Sequence, residues 1–195
     1  MKKFCIYFYL FNILFVQTIF PLKIDRVILS TNDNPLYIQF WPLAARAWQE
    51  IVGVRPTLAL IGNNEIPIDE QYGDVIRFTP IEGVPTSLYA QCVRLLLPCL
   101  FPADGCILAD IDLIPLQKKF FIDKVTKISD DRFVIYKSRA YWFYKPRIYM
   151  CYNAAKGSTF QDIFGVTSYE EIPEMIKQWA QLNIGWATDE IMGLS

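Results

Sequence analysis

Histidine is absent from the 195-residue sequence, and its absence removes several classes of chemistry. Without an imidazole there is no histidine general acid or base, no Ser-His-Asp triad and no histidine ligand for a metal ion. Any metal bound here would need oxygen or sulfur ligands.

Cysteine pairs of the C-x-x-C type are missing as well, and the five cysteines are an odd number. This argues against a complete disulfide framework, so we expect buried free thiols. Charge of one sign is not in excess either, since 19 basic and 20 acidic residues are interleaved and give a net charge of −1. The sequence therefore gives no reason to expect a nucleic-acid partner.

A long hydrophobic run is present at the N-terminus. Phe4 to Leu22 contains no charged residue, and two lysines precede it. The run is about as long as the roughly 20 residues that cross a bilayer, and no A-x-A-like cleavage site follows it. We predict that residues 1–22 form an uncleaved signal anchor of a single-pass membrane protein. The alternatives are a cleaved signal peptide of an exported protein and a hydrophobic element packed on the domain.

Hydrophobic patterning predicts strands that alternate with helices over the rest of the chain, 23–195. Apolar runs predict strands at 24–30, 56–62, 74–80 and 106–110, with further strand candidates at 132–138 and 147–155. Helical periodicity predicts helices at 39–53, 87–98 and 168–183. This alternation indicates an α/β fold with a mostly parallel mixed sheet flanked by helices, and in such sheets ligands bind outside the carboxyl ends of the strands.

The ends of three predicted helices carry recognisable signals. Gly53 is a plausible stop for the first helix, and Thr86 or Ser87 is the expected N-cap of the second. The third begins with Ser168 and, three residues later, Glu171, which is the spacing of a capping box.

The stretch CILADIDLIP places Asp110 and Asp112 directly after a buried strand. Alternate residues of a strand face opposite sides, so the two carboxylates reach one point only if the chain bends there. Two such oxygen anions suit Mg²⁺ or Mn²⁺, which commonly take one or two carboxylates together with substrate phosphates. The simpler interpretation is that one aspartate caps a turn and the other is solvated.

The segment SLYAQCVRLLLPCLFPADGCILADIDLIPL resembles the core of glycosyltransferases with the GT-A fold, a Rossmann-like fold. It is nearest to the glycogenin-like and galactosyltransferase family (family eight), which acts on nucleotide sugars. That family has a helix with a tyrosine and an arginine, a Leu-Pro helix end, and then a strand that ends in D-x-D. Tyr89, Arg94, Asp110 and Asp112 occupy the matching positions.

Two further segments follow in the family's order. YNAAKG resembles its Asn-Ala/Ser-Gly segment, and ATDEIMG resembles the segment with its Asp-Gln pair, with Glu190 in place of the glutamine. The resemblance extends over roughly residues 24–193. The family takes a third metal ligand, a histidine, from a motif near its C-terminus. This chain has no histidine. Either the C-terminal part of the family's domain is missing, or the chain belongs to a divergent branch that completes the metal site differently.

The resemblance implies roles for the polar residues at the predicted strand ends. Asp110 and Asp112 would hold Mn²⁺ or Mg²⁺ against a diphosphate, and Asp110 would also contact the ribose. Thr31 and Asn32 would lie against the nucleoside, and Arg94 would approach the nucleotide or the donor sugar. The competing interpretations are an ordinary turn at Thr31–Asn34 and a surface charge at Arg94.

Three more roles follow from the same resemblance. Asn153 and Ala154 would line the donor-sugar pocket, while Asp189 and Glu190 would lie near the reacting sugar or the acceptor. Asn153 would otherwise satisfy backbone groups in a bend, and Asp189 would otherwise cap a helix. The aromatic cluster 141–149 would stack on a sugar or pack in a sheet.

The sequence thus predicts a metal-dependent glycosyltransferase. It would move a sugar from a nucleotide-sugar donor, expected to be a UDP-sugar, to a hydroxyl of a glycan, lipid or protein. The alternative is a catalytically degenerate relative that binds a nucleotide sugar or a protein partner without turnover. A phosphohydrolase with the same aspartates is a weaker possibility, because its D-x-D would follow the first strand.

Overall fold

The computed structural model describes residues 20–63, 66–136, 148–185 and 188–192, with only the backbone of Asp189. The strands are β1 (Arg26–Asn32), β2 (Arg55–Ile61), β3 (Asp74–Phe78), β4 (Gly105–Leu108), β5 (Val134–Ile135) and β6 (Asn153–Lys156). They form one sheet in the order β3-β2-β1-β4-β6-β5. The first four are parallel, and β6 is antiparallel to both its neighbours. The predicted α/β fold with a mostly parallel mixed sheet is confirmed.

Helices cover both faces of this sheet. They are α1 (Pro35–Ile38), α2 (Trp41–Ala47), α3 (Thr86–Leu96), α4 (Lys118–Ile122), α5 (Gly157–Phe164), α6 (Glu171–Gln181) and α7 (Thr188–Met192). A π-helical turn at Trp48–Val52 continues α2, and 3₁₀ turns occur at Glu70–Tyr72 and Leu97–Leu100.

The alternation of side chains along β1 divides the core into two layers. Ile28 packs into a cluster with residues of α3, α5 and α6, whereas Val27 and Leu29 pack on the other face with residues of α2 and α4. All three side chains are fully buried. A strand covered on both faces reads as a continuous apolar run, which is why the sequence predicted it.

Several predicted boundaries change. The helix expected at 39–53 is α2 with its π-helical turn, and it ends at Gly53, whose φ of 83° is left-handed as expected for a helix stop. The N-cap predicted at Thr86 or Ser87 is wrong, because Thr86 is already helical and Pro85 precedes it without a side-chain cap. The helix expected at 168–183 is α6, three residues shorter at its start.

Half of the predicted capping box forms at the start of α6. The Glu171 carboxylate accepts hydrogen bonds from the backbone N–H groups of Thr167 (2.6 Å) and Ser168 (3.2 Å). These hydrogen bonds lower the pKa of Glu171 below its usual value. The residue at the cap position is Glu170, not Ser168.

The two late strand candidates are shorter than predicted. The candidate at 132–138 reduces to β5, and its last two residues lie outside the described part of the chain. The candidate at 147–155 becomes a bend followed by β6. The described cysteines are free thiols as predicted: Cys92, Cys99 and Cys106 are buried, and Cys151 is half-buried.

In the described ranges, no helix combines the length and the apolar character needed to cross a bilayer. All but the last three residues of the hydrophobic run predicted as a signal anchor lie outside those ranges.

Candidate functional site

A cleft of about 300 Å³ opens where β1 and β4 end. Its wall comes from the end of β1, from α1, from one face of α3, from the turn after β4, from the loop before β6, and from α7. The lining residues are Ser30, Thr31, Asn32, Tyr37, Ser87, Ala90, Gln91, Arg94, Asp110, Ile111, Asp112, Tyr149, Met150, Cys151 and Glu190. This is the edge of the sheet at which α/β folds bind ligands.

The turn after β4 brings both aspartates to the cleft. The backbone N–H of Leu113 donates to the carbonyl of Asp110 at 3.2 Å, which closes a tight turn. Ile111 between them is 4% exposed and packs into the core. The chain therefore bends as the two-carboxylate hypothesis requires, with Asp110 half-buried and Asp112 exposed.

Arg94 lies on the cleft face of α3 and forms a hydrogen-bonded ion pair with Asp110. Its side chain is 9% exposed, while that of Asp110 is 33% exposed. A charge-assisted hydrogen bond to a buried guanidinium fixes the orientation of the carboxylate. Arg94 is therefore a residue of the cleft and not a surface charge.

Thr31 and Asn32 also line the cleft, but they are the last residues of β1 and not the predicted loop. Thr31 is 3% exposed, and its hydroxyl donates to the carbonyl of Asn32. The Asn32 amide donates to the Thr86 hydroxyl at 3.0 Å and accepts from the backbone N–H of Asn34 at 3.3 Å. Asn32 thus ties the end of β1 to the start of α3.

Asn153 and Ala154 lie one layer behind the cleft wall. Both are fully buried in β6, and neither lines the cleft. The Asn153 amide donates to the carbonyl of Tyr149 at 2.7 Å, and Tyr149 is on the wall. Asn153 therefore supports the loop that lines the cleft.

Glu190 lines the cleft from α7. Its carbonyl accepts from the backbone N–H of Ile148 at 3.1 Å, which joins α7 to the loop before β6. Thr188 is 1% exposed and donates its hydroxyl to the carbonyl of Gly185 at the start of the same helix. Asp189 lies in this helix, and its side chain is outside what the structure describes.

Sequence reasoning missed part of the wall. Gln91 precedes Arg94 by three residues and so lies on the same face of the helix. This spacing could have identified Gln91 from the sequence. Met150 and Cys151 lie in the loop before β6. The sequence of this loop has no periodic pattern from which its position could be predicted. Of the aromatic cluster 141–149, Tyr149 lines the cleft, and residues 141–147 lie outside the described ranges.

The charged side chains of the wall do not balance. Arg94 contributes one positive charge, and Asp110, Asp112 and Glu190 contribute three negative charges, a net charge of −2 among the described lining residues. Nearby, burial first, and then the charges of Cys151, Asp110 and Asp112, raise the pKa of Tyr152 to about 12. The Tyr152 hydroxyl is therefore neutral near pH 7, and the wall remains anionic.

The donor set suits a cation that arrives with its substrate. Within the ranges that the structure describes, no group of three or more acidic or cysteine side chains surrounds a common point. Asp110 and Asp112 provide two carboxylates instead. Mg²⁺ and Mn²⁺ are commonly bound by one or two carboxylates plus substrate phosphates and waters, so the pair fits such an ion.

Solved structures with a similar fold are glycosyltransferases. The glycosyltransferase GlyE of Streptococcus pneumoniae TIGR4 matches with a TM-score of 0.54 and 11% identity over 88% of this chain and 43% of GlyE. The galactosyltransferase LgtC in complex with donor and acceptor sugar analogues matches with a TM-score of 0.50 and 12% identity over 87% of this chain and 70% of LgtC. An LgtC active-site mutant with glutamate in place of a glutamine matches with a TM-score of 0.53 and 13% identity over 87% of this chain and 69% of LgtC.

These matches show that the chain has a GT-A glycosyltransferase fold. The chain spans less than half the length of GlyE. No protein-family model matches the sequence, and no curated protein is similar to it in sequence.

Proposed function

We propose that this protein is a metal-dependent glycosyltransferase. It takes a nucleotide-sugar donor, expected to be a UDP-sugar, and transfers the sugar to a hydroxyl group of a glycan, lipid or protein. The support is a GT-A fold whose cleft, at the carboxyl ends of β1 and β4, contains two aspartates, an arginine and a glutamate.

The charge of the cleft is the observation that carries the proposal. The described lining residues have a net charge of −2, which would repel the diphosphate of a nucleotide sugar unless a cation binds with it. Asp110 and Asp112 would hold a divalent ion that would offset this repulsion and would supply Lewis-acid stabilisation of the diphosphate.

The side chains of the chain have separate tasks in this proposal. Asp110 and Asp112 would hold Mn²⁺ or Mg²⁺, and Arg94 would keep Asp110 oriented and add positive charge beside the diphosphate. Thr31 and Asn32 would bound the nucleoside end. Asp189 and Glu190 would lie beside the reacting sugar or the acceptor. Asn153 and Ala154 would support the wall of the donor-sugar pocket from behind.

The hydrophobic run Phe4 to Leu22 would anchor the protein in a membrane. Its length and its lack of charge support this proposal.

The test is calorimetric titration of the full-length protein with UDP, with and without Mn²⁺. We expect binding that depends on Mn²⁺ and that is lost in the double variant Asp110→Asn/Asp112→Asn. The matched control is Asp131→Asn/Asp162→Asn, which neutralises two exposed carboxylates outside the cleft wall and should leave binding intact. Equal UDP binding in the two double variants, or UDP binding that ignores Mn²⁺, would contradict the metal assignment.

A second candidate is binding of a nucleotide sugar without turnover. The observation that favours it is the ion pair with Arg94, which already engages one of the two expected metal ligands. Donor hydrolysis or transfer in the presence of Mn²⁺ would exclude this candidate. Mn²⁺-dependent UDP binding without either reaction, across a range of UDP-sugars and acceptors, would support it.

A further inference from the structure

Four lysines form an exposed surface on and after α4. Lys118, Lys119, Lys124 and Lys127 are all exposed, and Asp123 is the only acidic residue between the first and the last of them. The stretch therefore has a net charge of +3. Leu116, two residues before the first lysine, is 86% exposed. We call residues 116–127 the lysine surface.

Among the described residues, no ion pair balances the charges of this surface, and Lys124 Nζ lies over the ring of Phe120 at 3.8 Å from its centroid. In the part of the chain that the structure describes, none of the four lysines forms an ion pair with an acidic side chain. Lys23, Lys156 and Lys177 each do. Exposed lysines that form no ion pair can attract an anionic surface.

Backbone pairing joins the lysine surface to the end of the hydrophobic run. The N–H of Leu22 donates to the carbonyl of Ile128 at 2.8 Å, and the N–H of Asp130 donates to the carbonyl of Phe20 at 2.8 Å. A β-bridge between Pro21 and Ser129 lies between these two bonds. The hydrophobic run thus ends beside the residues that directly follow the lysine surface, and Phe20 itself is 62% exposed.

This region lies at the edge of the sheet opposite the cleft. Lys118 Nζ is 3.6 Å from the position that a Cβ on Gly53 would take, and Gly53 precedes the start of β2. Asp130 pairs with Lys156 at 2.8 Å, and Lys156 is the register partner of Gly105, where β4 starts. The cleft, in contrast, opens where β1 and β4 end.

We propose that the lysine surface binds the anionic lipid headgroups of the membrane into which the adjoining hydrophobic run inserts. This inference rests on the proposed membrane anchor and not on sugar transfer. Lysines close to an anionic leaflet each strengthen binding about fivefold, and the attraction falls off within a Debye length. With this edge against the bilayer, the cleft opens on the side away from the lipid.

The experiment uses the full-length protein in nanodiscs of phosphatidylcholine alone or of phosphatidylcholine with phosphatidylserine. A water-soluble amine reagent labels exposed lysines, and mass spectrometry gives the labelled fraction at each. Lys177 is the internal control, because it is exposed on α6, which packs on the other face of the sheet. We expect labelling of the four lysines to fall several-fold relative to Lys177 in the anionic discs, and to recover at high salt.

A variant with all four lysines changed to glutamine provides a second measurement, amide hydrogen exchange across 116–130. In the unmodified protein this exchange should slow in anionic discs, and in the variant it should be the same in both discs. Equal labelling in the two discs, an equal fall at Lys177, or failure of the protein to enter discs would each overturn the proposal. UDP binding in the same discs reports separately on the proposed transferase.

Discussion

Glu190 contributes one of the three negative charges among the described lining residues of the cleft. It lines the wall with Asp110 and Asp112 against one arginine, and the glycosyltransferase family that the sequence resembles has a neutral glutamine at the matching position. Each negative charge near a bound diphosphate costs about 1 kcal/mol at 4 Å in a water-like dielectric. The requirement for a divalent cation should therefore depend on this side chain.

Glu190→Gln should tighten metal-free UDP binding by about fivefold at low ionic strength, because it removes one repulsive charge of about 1 kcal/mol. Screening should reduce the gain as salt is added. Isothermal titration at two salt concentrations measures both effects. Asp162→Asn, an equal charge change at an exposed position outside the cleft wall, should leave the affinity unchanged. An unchanged affinity in Glu190→Gln at low salt would refute the charge-balance argument.

The side chains of the cleft differ in how well the sequence could predict them. Asp110 and Asp112 stand out because two carboxylates one residue apart interrupt the apolar stretch CILADIDLIP, and Arg94 was assigned from the resemblance of its helix to the family's. Asn153 was assigned to the sugar pocket by resemblance, but its burial places it behind the wall. Which side of a strand a residue faces depends on sheet register, and register is set by long-range pairing.

At the scale of elements, buried strands were predictable and short edge elements were not. The strands β1, β2 and β4 contain continuous apolar runs because helices cover both faces of the sheet. β5 has only two residues, and in the strand candidate at 147–155 the described residues before β6, 148–152, do not form a strand. Such elements are specified by tertiary contacts, because a two-residue strand contains no period.

Gly157, at the start of α5, illustrates a close contact between two elements. A Cβ on Gly157 would collide with the carbonyl oxygen of Phe101, and it would lie 2.6 Å from the carbonyl oxygen of Pro98. Gly157→Ala should therefore lower the free energy of unfolding by about 1–3 kcal/mol through overpacking. Urea denaturation followed by circular dichroism measures the change.

The matched control for this substitution is Ser158→Ala, at the next position of the same helix. Ser158 contributes its backbone N–H to the carbonyl of Pro102, and alanine keeps that bond. We expect a change within about 0.5 kcal/mol there. A Gly157→Ala protein as stable as the unmodified one would show that the contact relaxes, and the glycine would then need another explanation.

At the scale of the whole molecule, the two edges of the parallel sheet differ in the side chains they present. The cleft occupies the carboxyl edge. At the amino edge, Arg26 is 9% exposed, and its guanidinium donates to Thr57 and Asp74 at 2.6 Å and to Asp104 at 3.0 Å. One side chain of β1 thereby joins β2, β3 and the turn before β4. The strands are thus joined at the edge away from the cleft.

This network should make stability depend on pH through Asp74. Hydrogen bonds from Arg55, and then from Arg26, hold the pKa of Asp74 below its usual value. A carboxyl group with a lowered pKa in the folded state stabilises the protein above its unfolded pKa of about 3.9, and that stabilisation is lost as the pH falls through the folded value. Asp74→Asn should therefore cost about 1–2 kcal/mol near pH 7.

The difference between Asp74→Asn and the unmodified protein should begin to shrink as the pH falls below about 4, where the carboxyl of the unfolded chain takes up a proton, and it should vanish only below the lowered pKa of the folded state. Urea unfolding at a series of pH values measures this convergence. Asp131→Asn, at an exposed aspartate whose side chain is 68% accessible, should show no comparable difference at any pH. A penalty for Asp74→Asn that stays constant from pH 7 to acid would mean that loss of packing, not loss of the ion pairs, causes it. In that case the amino edge would be held together by its buried apolar residues alone.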